Sequence, residues 1–211
     1  QEPLTSLNPV FTCGEQVREA IALHLRLGRK ASKERAIEML RLVRMPEPEK
    51  RYNAYPHQMS GGMRQRVMIA MALSCEPSLV IADEPTSALD VSVQGQIIEL
   101  LRELQGRLRM AVLLITHDLA VVAELASRVL VMYAGSIVEE APTDELFARP
   151  SHPYTEGLIG SLARAARRGA RLAAIPGNVP DPLRLPRGCR FGDRCARRFE
   201  RCSEAEPPLF D

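Results

Sequence analysis

Apolar residues recur at helical spacing through the first third of the chain. Between Glu15 and Leu27 they fall at Val17, Ala20, Ile21 and Leu25, and Gly28 stands where a C-terminal cap belongs. Ser32 is placed to cap a second helix striped by Ala36, Ile37, Leu40 and Val43, whose end is marked by Pro46 and Pro48. A third helix is expected from Ser60 to Cys75. The pattern then changes to short unbroken apolar runs. Leu79 to Ala82 and Ala111 to Ile115 suit strands buried on both faces of a parallel sheet, and between them Asp90 caps an amphipathic helix through Ile97, Leu101, Leu104 and Leu108. Strand, helix, strand predicts a right-handed parallel crossover. A helix over 119–126 leads to the run Val129 to Tyr133, which Ala134-Gly135-Ser136 turns back into Ile137-Val138. That pair reads as a hairpin, giving a sheet that is mixed at one edge. His152-Pro153 opens a last helix, reaching Ala166.

Past Gly169 the periodicity fades. Six of the 16 prolines and three of the five cysteines lie in the last 36 residues, which predicts a small irregular module. The expected organisation is a short lead segment at 1–11, an α-helical region at 12–75, an α/β core at 76–168 and a Cys/Pro-rich tail at 169–211.

Composition narrows the functional classes. With 45% apolar and 26% charged residues in 211, the chain has the make-up of a globular protein. Its longest apolar run, Val67 to Leu73, is seven residues, against the roughly 20 needed to span a bilayer. A formal charge of +2 gives no general attraction for nucleic acid. Arg164 to Arg201 does carry 11 arginines against Asp181, Asp193 and Glu200, but the only aromatics there are Phe191 and Phe199. With 25 Arg and three Lys overall, a general arginine bias and a solvated surface account for the run, and no nucleic-acid partner is expected. The chain opens Gln1-Glu2-Pro3, without an initiator Met or signal-peptide features, and reads as a fragment. An odd number of cysteines without a secretory signal points to a reducing compartment.

The chemistry concentrates at strand ends. In open α/β sheets ligands bind outside the carboxyl ends of the strands, where this sequence places Asp83, Glu84 and, one strand later, His117. A carboxylate at a strand end suits Mg²⁺, and its neighbour can activate a water for attack on a phosphoryl group; two solvated acids closing a strand are the competing reading. Met59-Ser60-Gly61-Gly62-Met63 opens a helix whose free amides and dipole suit an anion; an ordinary Ser cap with glycines for close packing is the alternative there.

Taken together, Gln1-Glu2-Pro3-Leu4-Thr5-Ser6-Leu7-Asn8-Pro9, Tyr55 to Gly62, Asp83-Glu84-Pro85-Thr86-Ser87-Ala88-Leu89-Asp90 and Thr116-His117-Asp118 closely resemble ABC transporter ATPases. More narrowly the chain resembles the ATPase subunits of oligopeptide and dipeptide importers, including His152-Pro153-Tyr154-Thr155 and the cysteine tail. The resemblance implies a fold class: α/β, a partial P-loop NTPase sheet with an α-helical subdomain and a small irregular tail. It implies Gln1 as the Q-loop glutamine near Mg²⁺ and the attacking water, and Asp83 as the Mg²⁺ ligand. Glu84 would be the general base, His117 the switch histidine and Asp90 the end of the D-loop at a dimer interface. Ser60, Gly61, Gly62 and Met63 match the signature motif, which grips ATP bound to a partner ATPase subunit; Met63 stands where glutamine is usual. No G-x-x-x-x-G-K-[ST] occurs in these residues, so the fragment alone is expected to be inactive.

The implied ligands are ATP and Mg²⁺. The implied partners are a second ATPase subunit, identical or paralogous, transmembrane permease subunits and, indirectly, a solute-binding protein, at the cytoplasmic face of the membrane. A nickel or other small-solute importer, or a non-catalytic fragment retaining the dimer surface, are the alternatives. Cys189, Cys195 and Cys202, spaced C-x5-C-x6-C, are read either as ligands of zinc or an iron-sulfur cluster, as in some of the resembling tails, or as free thiols. Cys13 and Cys75 read as packing residues.

Overall fold

The computed structural model describes residues 6–87, 89–165 and 175–209. Gln1, Ala88 and the Arg/Ala run at 166–174 therefore lie outside the described residues. The chain divides into two compact units, Gln1–Asp118 and Leu119–Asp211.

The first unit opens with helices α1 (Cys13–Leu25), α2 (Arg29–Leu42), α3 (Pro48–Tyr52) and α4 (Gly61–Leu73). Strand β1 (Leu79–Asp83), helix α5 (Val91–Leu108) and strand β2 (Ala111–Ile115) follow. Val17 and Ile21 from α1, Ala36 and Leu40 from α2, Val67 and Ala70 from α4, and Ile97, Leu100 and Leu104 from α5 form one core without solvent contact. Ser60 and Asp90 cap α4 and α5 through their side-chain oxygens, as short acceptors preceding a helix do. Gly28 is the N-cap of α2 and not the C-cap of α1, because Arg26 already ends α1 in the left-handed region at φ 54°. Ser32 consequently lies inside α2, buried, with its hydroxyl donating to the Arg29 carbonyl.

β1 and β2 pair in parallel, with Leu79 opposite Ala111 and Asp83 opposite Ile115. The expectation of burial on both faces is not met. Val80 and Val112 pack on the core, whereas Ile81 is 62% exposed and Leu79, Leu113 and Ile115 are also exposed. A two-stranded sheet covered by helices on one side leaves the alternate side chains facing outward.

The second unit contains α6 (Leu119–Leu125), the strands β3 (Arg128–Tyr133) and β4 (Ser136–Pro142), and helices α7 (Thr143–Ala148) and α8 (Pro153–Ala165). β3 and β4 form the expected antiparallel hairpin; Ala134 and Gly135, at φ 46° and 83°, make the tight turn that positive φ values allow. Within the described residues of the second unit the hairpin is a two-stranded sheet. Residues 175–209 contain only two short 3-10 turns, Gly192–Arg194 and Glu200–Ser203.

Phe191 is buried in that tail against Tyr133 and Tyr154, with ring centroids 5.1 and 5.5 Å apart. The tail arginines are structural pins. Arg190 donates to the Ala134 carbonyl at 2.7 Å, Arg194 to the carbonyls of Ile175 and Pro176 at 2.9 Å, and Arg197 pairs with Glu156 at 2.6 Å. No described helix is long and apolar enough to cross a membrane.

Candidate functional site

Parallel pairing of β1 and β2 brings their carboxyl ends side by side, and the residues that follow them converge. Asp83 closes β1, half-buried. Glu84 leaves the strand at φ 46°, a left-handed conformation that costs a non-glycine residue about 1–2 kcal/mol. It is held there at several points. Its amide donates to the Ile115 carbonyl at 2.8 Å, and its carbonyl accepts from the Ser87 amide and hydroxyl at 3.3 and 3.1 Å. The twist turns the carboxylate toward the end of β2, where Glu84 Oε1 lies 2.7 Å from His117 Nδ1. The hydrogen bond to Glu84 and its negative charge push the His117 pKa up from the ordinary histidine range. His117 itself is 80% exposed at its side chain while Glu84 is 26% exposed.

The turn carrying His117 is ordered locally. The Asp118 amide donates to Thr116 Oγ1 at 3.1 Å, and Gln94 Nε2 donates to Asp118 Oδ2 at 2.8 Å. Asp90, which caps α5 by accepting from the Val93 amide at 3.0 Å, is exposed.

At the start of α4 the Ser60 hydroxyl accepts from the Met63 amide at 3.4 Å, leaving the first-turn amides of Gly61 and Gly62 as the unsatisfied donors of the helix end. The two glycines differ. A Cβ on Gly61 would lie in ordinary contact, 3.5 Å from Leu89, whereas a Cβ on Gly62 would come within 2.6 Å of Val93 Cγ1. Gly62 is thus the close-packing glycine, and exposed Gly61 stands at a helix N-terminus suited to an anion. Met63 has its amide engaged by Ser60 and its side chain packed on the core.

The residue types fit Mg²⁺ and a phosphate. The Asp83 carboxylate accepts no hydrogen bond from a described residue and offers the hard oxygen donor that Mg²⁺ takes. The tail cysteines present a different picture. Burial raises the Cys189 thiol pKa, with Cys202 and Cys195 close enough to act on it, and the Cys189 amide donates to the Cys202 carbonyl at 2.8 Å. Even so, among the described residues no three His, Cys, Asp or Glu side chains are arranged to hold a metal ion. Cys13 is fully buried with its thiol pushed up to about 11, a packing residue.

Two positioning side chains carried no signal in the sequence. Besides Gln94, buried Gln16 accepts from the Asn8 amide at 2.9 Å and donates to the carbonyls of Asn8 and Phe11 at 3.0 and 3.1 Å, fixing the loop before α1.

Residues 1–87 match the family model described as ABC transporter, and residues 138–202 match the one described as oligopeptide/dipeptide transporter, C-terminal region. Over 99% of its length the chain is 56% identical to a probable peptide ABC transporter ATP-binding protein of Sinorhizobium fredii. The chain belongs to the ABC transporter ATP-binding family. Other relatives agree: it is 51% identical to an oligopeptide transport ATP-binding protein of Bacillus subtilis and 53% identical to a dipeptide transport ATP-binding protein of Haemophilus influenzae, again over 99% of the chain. The chain spans 63% to 64% of the length of these three relatives. An ATP-binding cassette solved as a dimer in a post-hydrolysis state, with ADP and phosphate bound, superimposes with a TM-score of 0.58 at 31% identity, covering 65% of this chain and 59% of that one. The α/β fold of an ABC ATPase cassette is therefore the fold of this ABC protein, represented in part.

Proposed function

We propose that the chain supplies the hydrolytic carboxylate and the trans-acting signature helix of an ATPase subunit that energises import of oligopeptides or dipeptides. The observation that carries the proposal is the 2.7 Å contact between His117 Nδ1 and Glu84 Oε1 at the adjoining ends of two parallel strands. Glu84 accepts the proton of the attacking water as its oxygen forms a bond to the γ-phosphorus and the bond to the ADP oxygen breaks, giving ADP and phosphate. His117 orients the Glu84 carboxylate. Asp83 and Gln1 would hold Mg²⁺, which would neutralise phosphate charge there.

Ser60 and Gly61 present a helix N-terminus to the nucleotide of a second ATPase subunit, with Gly62 and Met63 setting that helix against its neighbours; Asp90 lies at the subunit contact. Permease subunits at the cytoplasmic face of the membrane receive the motion of closure. Peptides are favoured over nickel or another small solute because residues 138–202 match the oligopeptide/dipeptide model. The metal reading of the tail rests on resemblance. Anaerobic metal analysis of the native protein against Cys195→Ser decides it, and less than about a tenth of an equivalent leaves Cys189, Cys195 and Cys202 as thiols.

The test of the catalytic assignment is Glu84→Gln in the longer protein that carries this chain together with a phosphate-binding loop. ATP binding is retained and hydrolysis slows by about 10² to 10⁴-fold, the contribution of a positioned base. Unchanged turnover would remove Glu84 from the role.

A further inference from the structure

The first turn of α5 and the turn after β2 are far apart in sequence, yet a side-chain hydrogen bond joins them. Gln94 Nε2 donates to Asp118 Oδ2 at 2.8 Å, across 24 positions. Gln94 lies one helical turn past Asp90, and its own amide donates to the Asp90 carbonyl at 2.9 Å. Asp118 is the neighbour of His117, and its amide closes the turn on Thr116 Oγ1. His117 in turn contacts Glu84, whose carbonyl is tied to Ser87. Glu84 and α5 are thereby held to the end of β2 by the Glu84 amide on the Ile115 carbonyl, by Glu84 with His117 and by Gln94 with Asp118.

We infer that Gln94 is a positioning residue: it fixes the Thr116-His117-Asp118 turn through Asp118 so that His117 faces Glu84, and it ties that geometry to the Asp90 end of α5. The need for such a clamp is physical. The His117 side chain is 80% exposed, so little packing restrains the ring. A single hydrogen bond between exposed partners contributes weakly against rotamer entropy, whereas a hydrogen bond from a neutral amide to a carboxylate is about twice as strong as a neutral pair. Half-buried Gln94 and Asp118 are shielded enough for that bond to hold.

Under the function proposed above, on which this consequence rests, the clamp has a regulatory meaning. Asp90 marks the subunit contact, so a displacement of the start of α5 reaches His117 through Gln94 within the same subunit. Opening and closing of the dimer would then change how well Glu84 is oriented.

The experiment reads the turn itself in the 211-residue chain, so it stands whether or not the longer protein hydrolyses ATP. Imidazole nitrogen signals of His117, the exchange rate of the Asp118 amide and the melting temperature are measured in four proteins: the native chain, Gln94→Ala, Gln94→Glu, and Gln94→Glu combined with Asp118→Asn. Glu84→Ala supplies the His117 signal of a broken contact. Gln94→Ala moves the His117 signal toward that reference and speeds Asp118 exchange by about tenfold. Gln94→Glu, which sets two carboxylates against each other, does at least as much. The double variant restores a donor and an acceptor with their places exchanged, and returns both readouts toward native. An unchanged His117 signal in Gln94→Ala overturns the inference. So does a double variant that fails to recover, or a loss of melting temperature without any change at His117, which would make Gln94 a packing residue only.

Discussion

Replacing Gly62 by alanine separates packing from binding at the start of α4. The added Cβ would stand 2.6 Å from Val93 Cγ1, so α4 or Val93 must move. Valine in a helix strongly prefers one χ1 rotamer, which makes rotation an expensive escape. Overpacking of this kind costs about 1–3 kcal/mol, and alanine returns up to about 0.8–1.0 kcal/mol of helix propensity. The net expectation is a loss of about 0.5–2 kcal/mol. At Gly61 the contact is an ordinary 3.5 Å, so Gly61→Ala gains propensity without a clash and is neutral or slightly stabilising. Urea unfolding of the 211-residue chain gives both numbers, provided the slope with denaturant stays constant. Adding Val93→Ala to Gly62→Ala removes the clash, and a double-mutant cycle should show about 1 kcal/mol or more of favourable coupling. If Gly62→Ala is as stable as the native chain and strictly additive with Val93→Ala, the assignment of Gly62 to close packing is wrong.

Other consequences concern the second unit. Buried Glu139 accepts from the amides of Ser151 at 2.7 Å and His152 at 3.0 Å at the start of α8, so Glu139→Ala should destabilise the chain by about 1–3 kcal/mol, measured as a lowered unfolding midpoint; no change would show these bonds to be unimportant. Half-buried His152 has its pKa held below the ordinary value by burial, with Glu139 opposing weakly. Its unfolded form binds a proton more readily than its folded form, so stability present above the unfolded pKa of about 6.5 declines as pH falls through that value toward the folded one. His152→Gln should flatten the dependence of melting temperature on pH between about 7 and 5, and an equally steep dependence in that variant would refute the assignment.

What could be read from the sequence depended on how local each determinant is. Ser60 and Asp90 announce their caps because the acceptor and the amide it serves are three residues apart. Gly28 and Ser32 misled because two cap-competent residues lie within four positions, and the choice between them follows from Arg26 ending α1 early. The apolar runs gave the strands and their parallel pairing, but not the exposed outer face, which depends on which elements cover the sheet. Their places at the carboxyl ends of two strands grouped Glu84 with His117, but spacing across 33 positions could not supply their contact, nor the left-handed backbone that aims Glu84. Gln16 and Gln94 were invisible because an amide side chain bonding to distant partners leaves no periodic trace. The tail arginines, read as solvated charge, pin carbonyls beside a buried Phe191, an arrangement set by tertiary placement.

The central claim is that the signature helix and the hydrolytic carboxylate of one chain serve different nucleotides. Its most direct test mixes Gly61→Asp subunits with Glu84→Gln subunits of the longer protein and measures ATP turnover in isolated mixed dimers. With Ser60 and Gly61 acting on the partner's nucleotide, both lesions fall in one composite site and the other site is intact, so mixed dimers should turn over ATP well above either parent variant. Turnover no higher than that of the two parents would contradict the account.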